Sequence, residues 1–359
     1  MPRATGEIVN ICFPQNIDPY DSYGLLGCQL AKQLSRMGVY VNLFALGEEQ
    51  VTSQDEELRE LVMQPVKPSL GGIFLGYPTG FEKHENPLLK LGPRVGLTMF
   101  ESSKLPGDWS EEMNKMDSII TPTNWGKELF KSDGVTVPIT VARLGINPSY
   151  RLRPRSYQQY PIRFLTFVDR GKRKGGIAAT NAFIDAFGDS SDVKLIIKGR
   201  RARIKLGFIN PNIETVQQDM TEEELADLYS SCDVLINPNM GEGFGLIPRE
   251  FAATGGISLA TNWAGTGEDI NKWGWGLPYD LVEADWRGGG RLEGKDLGEW
   301  AKPDVPGVSR VLKHVVANIE QYRTISEKRA ATLPRYYDWK KYAEIILKRW
   351  RNGNSITER

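Results

Sequence analysis

The stretch Asp233-Val-Leu-Ile-Asn-Pro-Asn-Met-Gly-Glu242-Gly-Phe-Gly-Leu-Ile-Pro-Arg-Glu250 gathers the residues best suited to chemistry. Asp233 to Asn237 reads as a buried strand and Gly245 to Ala253 as a helix. Between them, Gly243 and Gly245 let main chain approach a ligand closely. A loop that leaves a parallel strand and opens a helix turns its amides toward any anion placed there. Glu242 sits on this loop, and Glu250 lies about a turn and a half into the helix. One carboxylate can therefore reach the reacting end of an elongated ligand and the other its far end. Each glutamate also has a plainer reading, as a partner of the helix dipole. A dinucleotide fingerprint fits less well: Gly241-Glu242-Gly243-Phe244-Gly245-Leu246 lacks the third glycine of G-x-G-x-x-G and comes late in the chain.

Strands and helices alternate around this loop. Ile8 to Phe13, Val39 to Leu46, Ile73 to Tyr77, Arg94 to Phe100, Ser118 to Thr121 and Thr140 to Leu144 read as strands. Helices are expected over Tyr23 to Met37, Glu56 to Met63, Trp109 to Met116 and Trp125 to Ser132, with Asp108 and either Thr123 or Asn124 as N-caps. Asn147 to Pro161 carries Pro148, Pro154 and Pro161 among arginines and reads as a linker. A second series follows: strand Arg163 to Val168, helix Gly175 to Phe187, strand Val193 to Lys198, and a helix over Thr221 to Ser231 opened by a Thr221/Glu224 capping box. After the glycine loop comes strand Ile257 to Thr261, and Tyr337 to Trp350 reads as a last amphipathic helix. This alternation predicts an α/β chain with two Rossmann-like domains facing a cleft. The expected divisions are 1–150, 151–335, and a C-terminal helix and tail over 336–359.

Composition narrows the chemistry. The 359 residues carry 45 basic and 45 acidic side chains. A wholesale polyanion coat is excluded, but residues 151–205 hold 14 Lys/Arg against 4 Asp/Glu. That local excess suits a phosphate-bearing ligand or a nucleic acid, or is a solvated basic face. Three separated cysteines and two histidines leave no disulfide framework and no metal-ligand spacing. No targeting segment or membrane span is read, so the expected location is cytoplasmic, with peripheral membrane contact left open.

The spacing E-x7-E within Glu242-Gly-Phe-Gly-Leu-Ile-Pro-Arg-Glu250 resembles the signature of retaining GT-B glycosyltransferases, specifically family 4. Leu165-Thr-Phe-Val-Asp-Arg-Gly-Lys-Arg-Lys174-Gly175 resembles that family's strand and R-K-G turn. Pro122-Thr-Asn-Trp-Gly-Lys127, Ala142-Arg-Leu-Gly-Ile-Asn147 and Thr98 to Pro106 resemble segments of its first domain. The matches span about residues 95–265, and the final helix resembles the one that crosses back to the first domain in GT-B proteins.

The resemblance implies a hexosyl- or pentosyltransferase that retains anomeric configuration and takes a nucleotide sugar, such as a UDP- or GDP-sugar, with no resident cofactor. Lys174 and Arg170 would neutralise the diphosphate, although Val168 stands where many members have arginine. Glu250 would bind the ribose hydroxyls and Glu242 would lie by the donor sugar. Main-chain amides of Gly243, Phe244 and Gly245 would hold sugar hydroxyls and phosphate, and Tyr23 and Gly24 would approach from the first domain. Many members place a histidine near the sugar; Glu101 is the candidate for that neighbourhood here. The leaving phosphate would itself take the acceptor's proton. No D-x-D occurs, which agrees with a metal-independent site where Lys174 and helix N-termini meet the diphosphate.

The acceptor stays open among saccharide, lipid, metabolite and modified nucleic acid. Lys198, Arg200, Arg201, Arg203 and Lys205 form a cationic segment that would serve nucleotide, nucleic acid or an anionic surface. The alternatives are a transferase acting on hydroxymethylated bases in DNA, or a nucleic-acid-binding protein on an inactive GT-B scaffold. Trp263, Trp273, Trp275 and Trp286 follow the motif; packing is the favoured reading over stacking on sugars or bases.

Overall fold

The computed structural model describes residues 6–19, 21–47, 55–155, 161–168, 171–199, 210–286 and 290–357. The chain divides into two compact units. The first comprises 1–100, 105–145 and 338–359; the second comprises 101–104 and 146–337.

The first unit runs β1 (Ile8–Phe13), α1 (Ser22–Arg36), β2 (Tyr40–Ala45), α2 (Glu56–Met63), β3 (Gly72–Leu75), β4 (Arg94–Leu97), α3 (Trp109–Asn114), β5 (Ser118–Thr121), α4 (Asn124–Ser132) and β6 (Ile139–Val141). Its six strands are parallel, in the order β2-β1-β3-β4-β5-β6. Strands buried on both faces are largely apolar, and Val9, Ile11, Phe13, Ile73, Val95, Leu97 and Ile119 are all buried, while the buried Asn10 accepts from Asn42 at 2.7 Å. Leu26, Leu30 and Leu34 share the buried stripe of α1. Asp21 caps that helix by accepting from the Gly24 amide at 2.7 Å, and Gly38, at φ +82°, lets the chain turn away. Thr123 caps α4 by accepting from Gly126 N, whereas Asp108 makes no such bond to α3.

The second unit begins with β7 (Ile162–Val168), α5 (Gly176–Phe187), β8 (Val193–Gly199), β9 (Ile213–Gln217), α6 (Glu222–Ser230), β10 (Val234–Asn237), α7 (Leu246–Ala253), β11 (Ile257–Thr261) and α8 (Ala264–Gly267). It continues with α9 (Ile270–Trp273), β12 (Trp275–Leu277), the antiparallel pair β13 (Tyr279–Glu283) and β14 (Glu299–Pro303), α10 (Val305–Ala317) and α11 (Ile319–Ala330). The parallel sheet has the order β12-β11-β10-β7-β8-β9. Its core joins Phe164, Phe183, Leu195, Ile197, Val234, Ile236 and Leu259 to Val308 and Leu312 of α10. The capping box of α6 forms between Thr221 and Glu224.

The proline-rich stretch is less of a free linker than its composition suggests. Residues 146–155 group with the second unit: the Tyr150 ring packs on Tyr229 at 5.5 Å, Arg153 pairs with Glu223 at 2.6 Å, and Arg155 donates to Thr254 O at 3.2 Å. The chain then returns in α12 (Trp339–Thr357), which belongs to the first unit and packs on α1. Trp339, Tyr342, Ile346 and Trp350 are its buried stripe, and Arg351 reaches Glu7 at 2.8 Å. Among the described residues no helix is long and apolar enough to cross a membrane.

His84 is buried in the first unit, its ring edge-on to Phe74 at 5.8 Å. Burial pushes its pKa down to about 4, partly offset by a hydrogen bond to the Phe13 backbone. The unfolded chain therefore binds a proton that the folded chain refuses. The stabilising effect is complete above the ordinary histidine range and is lost as pH falls from about 6.5 toward 4. His84→Gln is expected to remove that loss, about 1–3 kcal/mol of acid sensitivity, in melting curves recorded across this window. Parallel curves for the two proteins would refute it.

Candidate functional site

In the second sheet β7 and β10 are neighbours, although their outgoing loops are far apart in sequence. From β10 the sheet grows one way through β11 and β12, and from β7 the other way through β8 and β9. Such a reversal leaves a crevice at the carboxyl ends of the two central strands. The turn after β7 and the glycine loop after β10 meet there.

Glycines make the meeting close enough to matter. Gly171 and Gly175 adopt φ +92° and +72° around the single 3-10 turn Lys172–Lys174. A Cβ on Gly175 would lie 1.9 Å from Pro238 O, so only glycine lets the two loops touch. The Met240 amide then donates to Arg173 O at 2.7 Å. Lys174 Nζ reaches Glu242 Oε1 at 2.7 Å. Arg173 donates to Gly241 O at 2.5 Å and lies 3.5 Å from the same glutamate oxygen.

The loop from Met240 to Gly245 is held from beneath by Arg249. This wholly buried guanidinium donates to carbonyls of Phe244, Gly245, Gly265 and Glu268, the last three at 3.0, 3.0 and 2.9 Å. The rings of Phe244, Trp273 and Tyr337 surround it at 4.2, 4.9 and 5.5 Å. Gly265 N donates to Glu242 O, and a Cβ on Gly265 would meet Gly243 O at 2.2 Å. Gly245 opens α7 at φ +83°, and no side chain caps that helix. Its first amides and positive dipole end therefore favour an anion.

Glu101 reaches the same cluster from the segment 101–104. Ser103 N donates to Glu299 O at 3.3 Å, Lys104 N to Leu297 O at 3.1 Å, and Trp286 Nε1 to Ser102 Oγ at 2.8 Å. These bonds lay the segment along β14. Gly241 then lies so near that a Cβ would stand 2.0 Å from Glu101 O. Glu101 Oε1 is 3.8 Å from Arg173, and its Oε2 is buried without a hydrogen bond among the described residues.

The three carboxyls meet different electrostatic environments. Burial works to raise Glu242, but Lys174 and Arg173 outweigh it and hold the group below its ordinary range. Burial raises Glu101, and Arg173 offsets only part of that. Burial, with Glu222 as a like charge, raises Glu250 to about 8. Among the described residues, no cation or hydrogen-bond donor meets the Glu250 carboxyl. The site thus holds one firmly ionised carboxylate and two that are reluctant to ionise, the separation an acid–base or charge-stabilising site needs.

The structure brings Lys174, Glu242, Glu101 and the Gly243–Gly245 main chain together, with Glu250 buried on the following helix. The Phe244 ring turns inward onto Arg249 and Tyr337, so only its main chain can serve a ligand. Tyr23 and Gly24 lie in the first unit. The Tyr23 hydroxyl accepts from Met99 N at 3.2 Å, and the Gly24 amide serves the Asp21 cap. Arg170, Arg200, Arg201, Arg203 and Lys205 lie outside the described residues. Lys198 is described, and it departs from a cationic surface: its ammonium is buried against Gly199 O at 2.8 Å and Gln218 O at 2.5 Å. Three of the four tryptophans pack: Trp273 lies on Arg249, Trp275 on Tyr322 at 4.7 Å, and Trp286 on Trp300 at 5.1 Å, whereas the Trp263 ring lies beside Gly241, 3.2 Å from where a Cβ there would stand. Arg173 and Arg249 were not expected. Both adjoin expected residues in sequence; Arg173 is marked only by a carbonyl far along the chain, at Gly241, whereas Arg249 bonds to carbonyls of its own loop and of the turn after β11. Among the described residues no three His, Cys, Asp or Glu side chains converge as a metal ion would require.

The raised Glu250 has a measurable consequence in the protein without ligand. A carboxyl whose pKa rises on folding costs nothing below its unfolded value and weakens the fold as pH climbs through about 8. Glu250→Gln, which cannot ionise, is expected to melt with the wild type near pH 4.5 and above it near pH 9, by about 1–3 kcal/mol. Denaturant curves at the two pH values test this; a deficit for the variant at pH 9 would contradict it.

No family model matches the chain, and no curated protein matches it in sequence. Solved structures do match over nearly the whole length. A sucrose-phosphate synthase from Thermosynechococcus elongatus superposes with a TM-score of 0.67 at 13% identity, covering 96% of this chain and 98% of that one. An α,α-trehalose-phosphate synthase (UDP-forming) from Burkholderia vietnamiensis gives 0.64 at 10%, covering 96% and 100%. WaaG, a glycosyltransferase involved in lipopolysaccharide biosynthesis, gives 0.59 at 14%, covering 96% and 99%. At such identities the likeness is one of fold: the chain has the α/β architecture of the GT-B glycosyltransferases, with two parallel six-stranded sheets.

Proposed function

We propose that the chain is a retaining glycosyltransferase that moves a hexosyl or pentosyl group from a nucleoside-diphosphate sugar to a hydroxyl acceptor. The observation that carries the reading is the ion pair of Lys174 and Glu242, 2.7 Å apart beside the uncapped start of α7, on a GT-B fold. A nucleoside diphosphate leaves only when its developing charge is met. Lys174 supplies a mobile cation, and the amides from Gly243 to Leu246 supply oriented dipoles. Glu250, buried and unpaired among the described residues, gains ribose hydroxyls as partners. Glu242 lies beside the sugar, where a carboxylate stabilises an oxocarbenium-like centre.

The bond between anomeric carbon and diphosphate oxygen breaks as the bond to the acceptor oxygen forms on the same face. The acceptor's proton passes to the departing phosphate oxygen, which asks no histidine of the protein. Glu101, beside Glu242 and Arg173, shares a hydrogen bond with a sugar hydroxyl.

A thermal-shift panel of UDP-glucose, UDP-N-acetylglucosamine, GDP-mannose and ADP-glucose is expected to raise the melting point for one base class, because a ligand of the folded state stabilises it. Calorimetry with the best donor is expected to show Lys174→Ala weakened about 10–100-fold, the worth of a charge-assisted hydrogen bond. Glu242→Gln is expected to bind that donor within a few-fold of wild type and lose most turnover. A flat panel, or unchanged affinity in Lys174→Ala, would sink the proposal.

A further inference from the structure

We infer that Arg173 is a positioning residue that keeps Glu242 anionic and aimed while Lys174 turns to the donor diphosphate. The inference rests on the transferase reading above and deepens it.

The two cations beside Glu242 are held very differently. Arg173 donates to Gly241 O, accepts at its own carbonyl from Met240 N, and lies 5.7 Å from the centre of the Trp286 ring. Trp286 is in turn tied to Ser102 and stacked on Trp300. The guanidinium is therefore flanked by the Gly241 carbonyl, the Trp286 ring and, at 3.8 Å, Glu101, with 19% of its side chain exposed. Lys174 is 31% exposed, and Glu242 is its one partner among the described residues. A compact ammonium on a flexible stem swings readily, whereas a planar guanidinium fixed on a carbonyl and a ring does not.

That difference matters once an anion arrives. A diphosphate brings at least two negative charges to the crevice and draws the Lys174 ammonium toward itself. Glu242 then loses its nearest cation and gains an anionic neighbour. A buried carboxyl in that position takes up a proton unless another positive charge stays with it. Among the described residues, the charged groups facing Glu242 are Lys174 and Arg173 from the turn after β7, and Glu101 from the segment along β14. Glu101 is of the same sign, so Arg173 is the charge that remains. An arginine does not give up its proton in proteins. It stands 3.5 Å from Glu242 and 3.8 Å from Glu101, between the two carboxyls.

The test has a part without donor and a part with it. In a Glu101→Gln background, which silences the neighbouring carboxyl, melting points are measured at pH 4.5 and 7.5 for Arg173→Met, Glu242→Gln and both together. Arg173→Met is expected to cost more at pH 7.5 than at pH 4.5 when Glu242 is present, and equally at both when it is glutamine. Equal cost in both backgrounds would overturn the inference. With the best donor of the panel, turnover is read as nucleoside diphosphate released in the wild-type, Arg173→Met and Arg173→Lys proteins. The acid limb of the kcat profile is expected to move up by about one pH unit in Arg173→Met, a loss of charge stabilisation near 1.4 kcal/mol. Arg173→Lys should restore most of it, and donor KM should stay within about threefold in all three. An unmoved acid limb, or a loss confined to KM, would overturn the inference. A wild-type protein that binds no nucleotide sugar would instead remove the transferase reading, whatever the melting points show.

Discussion

A carboxylate taken out of water must be met by positive charge, and the second unit of this protein is built around one such carboxylate. Glu242 lies on the loop after β10, while the cations that hold it ionised, Lys174 and Arg173, lie on the turn after β7. Local sequence cannot bring these groups together. The strand order does, by placing β7 beside β10 where the sheet changes its direction of growth. Burial alone would push Glu242 toward its neutral form, so fold and charge state are one problem. Gly175 and Gly241 belong to the same solution, since a side chain at either would push apart the loops that carry the charges.

Adjacent residues on α7 meet burial in opposite ways. Arg249 sits wholly inside, yet four carbonyls and three aromatic rings compensate its charge. That compensation stiffens the glycine loop, which otherwise has little side-chain packing to hold it. Glu250, one position on, is nearly as deep and finds no donor among the described residues. A group left unsatisfied in this way works against the fold. Such a cost persists where a ligand recovers it, and helix α7 can carry it because Arg249 anchors the same turn.

Much of the scaffold was legible in the sequence. The alternation of apolar runs and amphipathic stretches marks β1, β5 and β11 at their observed limits, and leucine spacing marks α1. Local capping chemistry was legible too, as Thr221 and Glu224 show. The stretch from Trp275 to Ala330 was not, because β12 has three residues, β13 and β14 mix charged with apolar residues and are partly exposed, and α11 has a weak apolar stripe. At the candidate site, the E-x7-E spacing singled out Glu242 and Glu250, because their loop is contiguous. Arg173 escaped notice because its partners are Gly241, Glu101 and the Trp286 ring, and no local pattern encodes contacts across such separations. Lys198 misled for the converse reason. It reads as part of a basic surface, but its place at the end of β8 turns the ammonium onto main-chain carbonyls.

Identities of 10–14% to solved GT-B structures show how little side-chain identity the fold demands. Apolar strands, glycines at the crossings and a strand order suffice for the sheet. Charge balance at the crevice is a separate demand and follows a different rule. Val168, the last residue of β7, brings no charge to the crevice. A guanidinium is nevertheless present, at Arg173, immediately before Lys174 instead of upstream on the strand. From there it approaches Glu242 through the Gly241 carbonyl, because the turn after β7 is pressed onto the loop after β10. The sum of charge around a buried acid is what must close, and more than one position on that turn can close it.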